Sequence, residues 1–238
     1  MFCTFGFCEL SRGELSRHQP VVWLARNEAA LVVAWRVPRA GQEPLAKGAT
    51  SHDGAVWNDD AIEILLDPGH THADYYQLIV SAAGVVYDAR GREPSWASGA
   101  VVDVAESDSA WAGTCVVPFA AMGTAVPQED AVWGCNLAWD RSPGQRPQDG
   151  WQSEEPVAVW SPVGATLHEP ATFGHLVFHS AGSVQLTDLH LPHWRSLALT
   201  GRTAGCDITA ALLRDGAAEA WSGRATAADG RLALPAPD

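Results

Sequence analysis

Short apolar runs separated by turn residues recur along the chain, and no stretch keeps the three-to-four-residue period of an amphipathic helix. Residues 21–24 and 30–37 flank the turn Arg26-Asn27-Glu28 and read as a hairpin rich in β-branched side chains. Residues 61–66 and 75–82 form the next pair, separated by Asp67-Pro68-Gly69 and a His-rich turn, and a short run at 85–87 follows Gly84. Residues 100–105 and 111–117 pair across the polar turn 106–109, and 118–123 read as a single helical turn. Runs at 132–140, 157–160 and 174–179 close the series. Strands this short at this spacing predict an all-β chain folded as an antiparallel two-sheet sandwich.

The texture changes after Ser180-Ala181-Gly182. Residues 184–191, 196–200, 207–214, 218–225 and 231–234 are small alternating strands, with Asp-Gly turns at 215–216 and 229–230. We therefore divide the chain into a sandwich over 1–182 and a small C-terminal β extension, or the opening of a truncated second β domain, over 183–238. The segment 38–58 is long for a structureless connection, and such loops tend to be functional.

Within 61–66, alternation sets Ile62, Ile64 and Leu66 on one face and Glu63 on the other. A carboxylate among apolar neighbours is costly unless it meets hydrogen-bond donors. Sugar hydroxyls, buried amides and an arginine are all such donors. Gln77 belongs to the next strand and presents its amide on the same face, while Trp57 precedes the first strand as a flat platform at its edge. One stacking face and two polar anchors make a sugar site.

Composition sharpens the choice. Eleven tryptophans stand against three tyrosines, so aromatic area is available both for the core and for stacking. Fifteen basic and 28 acidic residues leave a formal charge of −13 without a Lys/Arg cluster, which disfavours nucleic acid as a partner. No stretch reaches membrane-spanning length. The apolar start, residues 1–8, lacks the basic segment and length of a signal peptide, so either the protein is intracellular or a leader has been removed. The five cysteines lack metal or disulfide-framework spacing, and Cys115 and Cys135, inside strand patterns, read as buried free thiols.

The ordered set Trp57-Asn58-Asp59-Asp60-Ala61-Ile62-Glu63-Ile64-Leu65-Leu66-Asp67, Tyr75 to Val80, Gly84 to Asp88, Trp133-Gly134-Cys135-Asn136 and Pro170-Ala171-Thr172-Phe173-Gly174 resembles the family 9 carbohydrate-binding modules, over residues 20–180. The resemblance implies sugar held between aromatic residues, structural calcium, an extracellular or periplasmic setting, and an accessory, non-catalytic role in polysaccharide processing. It places Trp57 and Glu63 at binding positions. The family has an arginine two residues after Gln77, where this chain has Ile79. It has a second stacking tryptophan before the Pro-x-x-Phe-Gly motif, where this chain has Leu167. A substitute wall falls to Trp160, Trp151 or Trp139. For calcium, the candidate oxygen ligands are Asp59, Asp60 and Asp67, with Asp74 nearby.

Rival readings are few. A hydrolase would pair Glu63 with Asp88 or Asp140, and no catalytic motif supports it. A haem-b electron-transfer domain, a type known among related sandwiches, would use Met122 with His168, His175 or His179, although Met122 sits where packing is expected. His70-Thr71-His72 reads as a solvated turn without a third ligand. A structural or interaction sandwich that has lost its ligand is the main competitor.

Overall fold

A computed structural model describes residues 6–39, 44–142 and 155–178 in full, together with the backbone of strand 2–4 and of four strands between 183 and 226. The first sheet contains β1 (Phe2–Thr4), β3 (Val21–Arg26), β4 (Ala30–Pro38), β8 (Val101–Glu106) and β9 (Ala110–Pro118), in the order β1-β3-β4-β9-β8. The second contains β2 (Cys8–Glu9), β5 (Ala61–Asp67), β6 (Tyr76–Ser81), β7 (Val86–Arg90), β10 (Ala131–Asp140), β11 (Val157–Val159) and β12 (Gly174–Phe178). Its order is β2-β11-β10-β5-β6-β7, and β12 shares the free edge of β10 with β11. Every pairing is antiparallel. The two-sheet sandwich is as the alternation predicts, and the helical turn falls at Phe119–Met122 as a 3-10 turn.

The N-terminus differs from expectation. Residues 1–8 read only as an apolar start, yet β1 pairs with β3 and β2 pairs with β11, so this segment contributes a strand to each sheet. Strands of two and three residues are too short to show a period. A third sheet, β13 (Ser183–Leu191), β14 (Arg195–Arg202), β15 (Asp207–Arg214) and β16 (Ala218–Thr226), is a simple antiparallel meander. The strand expected at 231–234 lies outside the described residues.

The core sits between the first two sheets. Val22, Val33, Trp35, Val37 and Trp111 meet Ile62, Ile64, Leu66, Leu78, Leu137 and Trp139, all essentially closed to solvent. Each such side chain contributes about 1.5–3 kcal/mol by leaving water. Met122 belongs to this core, and its carbonyl accepts a hydrogen bond from Tyr76 Oη at 3.0 Å. It packs as a core residue, on the opposite side of the second sheet from His168, so the two do not form an axial pair. Cys115 and Cys135 are free and buried, with thiols that burial pushes up to about 12.

Trp35 and Trp111 meet edge to face, with ring centroids 5.9 Å apart. Gly113, opposite Trp35 in the β4–β9 ladder, leaves room for the indole, because a Cβ there would lie 2.4 Å from the ring. Gly113→Ala is therefore expected to destabilise the sandwich by about 1–3 kcal/mol through overpacking. A lowered urea-unfolding midpoint with an unchanged slope is the readout.

Candidate binding site

Strand β5 is buried along its whole length on both faces. Its inner face supplies Ile62, Ile64 and Leu66 to the core, and its outer face carries Glu63. Cross-strand register sets Ala138 of β10 and Ile79 of β6 opposite Glu63, with Tyr87 of β7 beyond Ile79. Gln77 stands two residues from Ile79 on the same face, because side chains alternate. Its Nε2 donates to Glu63 Oε2 at 2.6 Å. Glu63 and Gln77 form the floor of a cleft of about 390 Å³, a size typical of small-molecule sites.

Trp57 stands at the rim. It lies in a 3-10 turn, Val56–Asn58, immediately ahead of β5, and half of its surface is open to solvent. Tyr87 meets its indole edge to face, with centroids 5.4 Å apart and planes at 88°. The pair holds the indole without covering it. Asp59 and Asp60 fix the turn from below. Asp59 accepts the amides of Gly48 and Ala49 at 2.7 and 3.0 Å, and Asp60 accepts those of Ala46 and Ser142 at 2.7 and 3.0 Å.

The far wall is the loop 165–168. Glu169 organises it by accepting the amides of Gly164, Ala165 and Thr166 at 2.7, 2.9 and 3.1 Å, bonds that hold its carboxyl below the usual range. His168 Nδ1 and Tyr75 Oη are 2.6 Å apart, and burial, then the nearby Arg92, lowers the imidazole pKa. Arg92 enters the cleft from the turn after β7 and supplies a cation where Ile79 cannot.

Glu63 also faces Asp140, which lies two residues beyond Ala138 on β10, and the two carboxyls are near enough to share a hydrogen bond when one of them is protonated. Two carboxyls joined by a hydrogen bond must hold a proton between them. Burial is the chief cause raising both pKa values, and at Asp140 the nearby Glu63 and Asp60 add to it.

The structure thus brings Trp57, Glu63 and Gln77 together, and Ile79 and Leu167 line the same cleft. Trp160 is not there. Its ring fills the core over Gly174, where a Cβ would come within 2.7 Å, so it forms no wall of the cleft. Trp139 is likewise a core residue, and Trp151 lies outside the described residues. Asp59, Asp60 and Asp67 do not form one cation site. The first two precede β5 and Asp67 ends it, about 20 Å away at the rise of a strand. All three are engaged by local donors, Asp67 by the amide of His72 at 2.7 Å. Asp74 is ion-paired with Arg90. His70 and His72 do have a third imidazole beside them, because the His175 ring lies 4.8 Å from that of His70.

Tyr87, Arg92 and His168 also line the cleft, and the sequence reading gave none of them a sugar-site role, His168 being considered there only as a haem ligand. Tyr87 was legible, since it shares the strand parity of Ile79. Nothing in the spacing signals Arg92 or His168.

No protein-family model matches the sequence, and no curated protein matches it in sequence either. Solved structures do match in fold. A protein of Bacteroides uniformis, provisionally assigned as carbohydrate-binding, superposes with a TM-score of 0.55 at 18% identity, covering 74% of this chain and 86% of its own. A family 9 carbohydrate-binding module of Caldicellulosiruptor kristjanssonii, in complex with cellotriose, gives 0.54 at 12% identity, with 74% and 83% covered. A structure of a family 9 module from the same organism, in complex with glucose, gives 0.52 at 11%, with 74% and 85% covered. The fold is that of a family 9-like β-sandwich.

The carboxyl pair makes a stability prediction. A buried acid with a raised pKa keeps a proton in the folded chain that the unfolded chain has released. That contribution is neutral below the ordinary values of 3.8 and 4.5, and stability falls as pH rises from there through the raised folded values. Asp140→Asn should flatten this decline and raise the urea midpoint at neutral pH relative to the parent. A parallel pH profile in the two proteins would contradict the shared proton.

Proposed function

We propose that the chain binds carbohydrate non-catalytically, by stacking a sugar ring on Trp57 and hydrogen-bonding its hydroxyls to Glu63 and Gln77. The observation that carries this reading is the half-open indole beside a buried, hydrogen-bonded carboxylate–amide floor within one cleft. The apolar face of a pyranose matches an indole, and its equatorial hydroxyls need donors and acceptors at the ring edge. The fold shared with modules solved in complex with cellotriose and glucose supports it. Arg92 and His168 add polar contacts at the far wall, and Tyr87 keeps the indole upright.

An accessory role in polysaccharide processing, in an extracellular or periplasmic setting, fits such a site. Among the described residues no helix is long and apolar enough to cross a membrane. Calcium enters this proposal only as a separate question, because Asp59, Asp60 and Asp67 are engaged elsewhere. With Leu167 and Ile79 in place of a second indole and an arginine, stacking is one-sided, and weak affinity is expected.

An oligosaccharide array followed by calorimetry tests the proposal. Trp57→Ala should weaken any hit by about 10–100-fold, in line with the loss of a stacked aromatic anchor. Leu167→Trp should strengthen the same hit by restoring the opposing wall. Absence of any ligand across neutral and acidic sugars would leave an interaction scaffold, and binding indifferent to Trp57→Ala would place the sugar elsewhere.

A further inference from the structure

The turn that precedes Trp57 carries a group of ligating side chains separate from the cleft. Asp53 has a left-handed backbone, φ 60°, which aspartate tolerates better than most residues. Its amide donates to Val86 O at 3.0 Å, and its Oδ1 accepts the amide of Asp88 at 3.2 Å, so the turn is tied to β7 by its backbone. Asp88 is completely buried. Its Oδ2 accepts the Ser98 amide at 2.8 Å, while among the described residues Oδ1 has no hydrogen-bond partner. A buried carboxylate oxygen without a donor is unfavourable, and a cation is what relieves it. The exposed His52 ring stands against this group, with Nδ1 3.1 Å from Asp53 Oδ2 and Nε2 3.6 Å from Asp88 Oδ2.

We propose that His52, Asp53 and Asp88 bind a divalent transition-metal ion that staples the Trp57 turn to β7. One ligand atom from each residue lies within 4.8 Å of the other two. Bonds of about 2.0–2.2 Å to one ion set neighbouring ligand atoms about 3–3.5 Å apart. The closure required is small, and the two exposed residues, His52 and Asp53, are the ones that make it. An imidazole nitrogen with two carboxylate oxygens suits zinc or a similar borderline ion, whereas calcium prefers oxygen throughout. Because His52 and Asp53 are exposed, water would complete the coordination of such an ion. The buried, unpartnered Asp88 Oδ1 distinguishes this group from an ordinary surface cluster.

The ion would act on the cleft through its neighbours. Asp88 follows Tyr87, and the His52–Asp53 turn leads into Trp57, so one ion ties together the two segments whose rings form the aromatic pair. This consequence rests on the carbohydrate reading; the metal site does not.

The experiment titrates Zn²⁺ alone into chelator-treated full-length protein by calorimetry and thermal denaturation, with Ca²⁺ in parallel. One tight equivalent of Zn²⁺ with a raised Tm is expected, weakened at least 10-fold in His52→Ala and in Asp88→Asn. His52 is exposed, so its variant keeps the test sound even where Asp88→Asn fails to fold. His72→Ala controls for the imidazoles of His70, His72 and His175. Binding that follows His72 instead of His52, preference for Ca²⁺ over Zn²⁺, or no Zn²⁺ binding at all overturns the proposal, the last leaving His52 as a simple ion-pair partner of the two acids. If Zn²⁺ binds but leaves the affinity of an identified sugar unchanged, the metal site stands and only its coupling to the cleft falls.

Discussion

A strand covered on both faces leaves no water for a charged side chain, and β5 is such a strand. Glu63 in its middle must therefore find all of its partners inside the protein or in a ligand. Gln77 supplies one from β6, and the proton shared with Asp140 supplies another from β10. These contacts bind three adjacent strands through side chains as well as through the backbone ladder. They also fix the floor of the cleft before any ligand arrives. The same burial that makes the acid expensive makes its position definite.

The rim follows from a different use of carboxylates. Asp59 and Asp60 hold the segment 46–49 and residue 142 by their amides, and so set the angle at which the Val56–Asn58 turn meets the sheet. Glu169 does the same for the opposite wall. Both walls are thus loops organised by acids that each accept two or more amides, a stiff arrangement for segments without regular structure. Loops of this kind can present a side chain to solvent without losing its orientation. Trp57, braced edge-on by Tyr87, is the result.

The period of two made most of this legible in sequence. Alternation in 61–66 was enough to send Glu63 away from the core, and the same parity in 75–80 put Gln77 beside it. What alternation does not encode is which edge of a turn faces a cleft formed by a distant loop. Arg92 and His168 arrive from segments 76 residues apart, and only the sheet order brings them together. Trp160 misled for a related reason: an indole at a strand end serves equally as core or as platform, and only the missing side chain at Gly174 reveals which. Asp59, Asp60 and Asp67 misled because a carboxylate before or after a strand accepts amides as readily as it binds an ion. Residue type alone does not separate those uses; counting each oxygen's donors does.

The replaced positions, Ile79 and Leu167, bear on what the cleft selects. Both are apolar and both border the floor, so a bound ring would meet an indole on one side and aliphatic surface on the other. Aliphatic walls exclude water without imposing the parallel-plane geometry of two indoles, and they leave discrimination to the polar groups. Those groups are asymmetric. Glu63 accepts, the Gln77 amide is partly spent on Glu63, and Arg92 only donates. In the proposed binding mode, a ring that offers a donor toward β5 and an acceptor toward the turn after β7 suits these groups, whereas its reverse sets acceptor against acceptor at Glu63 and donor against donor at Arg92. The orientation of a sugar in that proposed mode follows from the burial of Glu63, the same constraint that shapes the sheet beneath it.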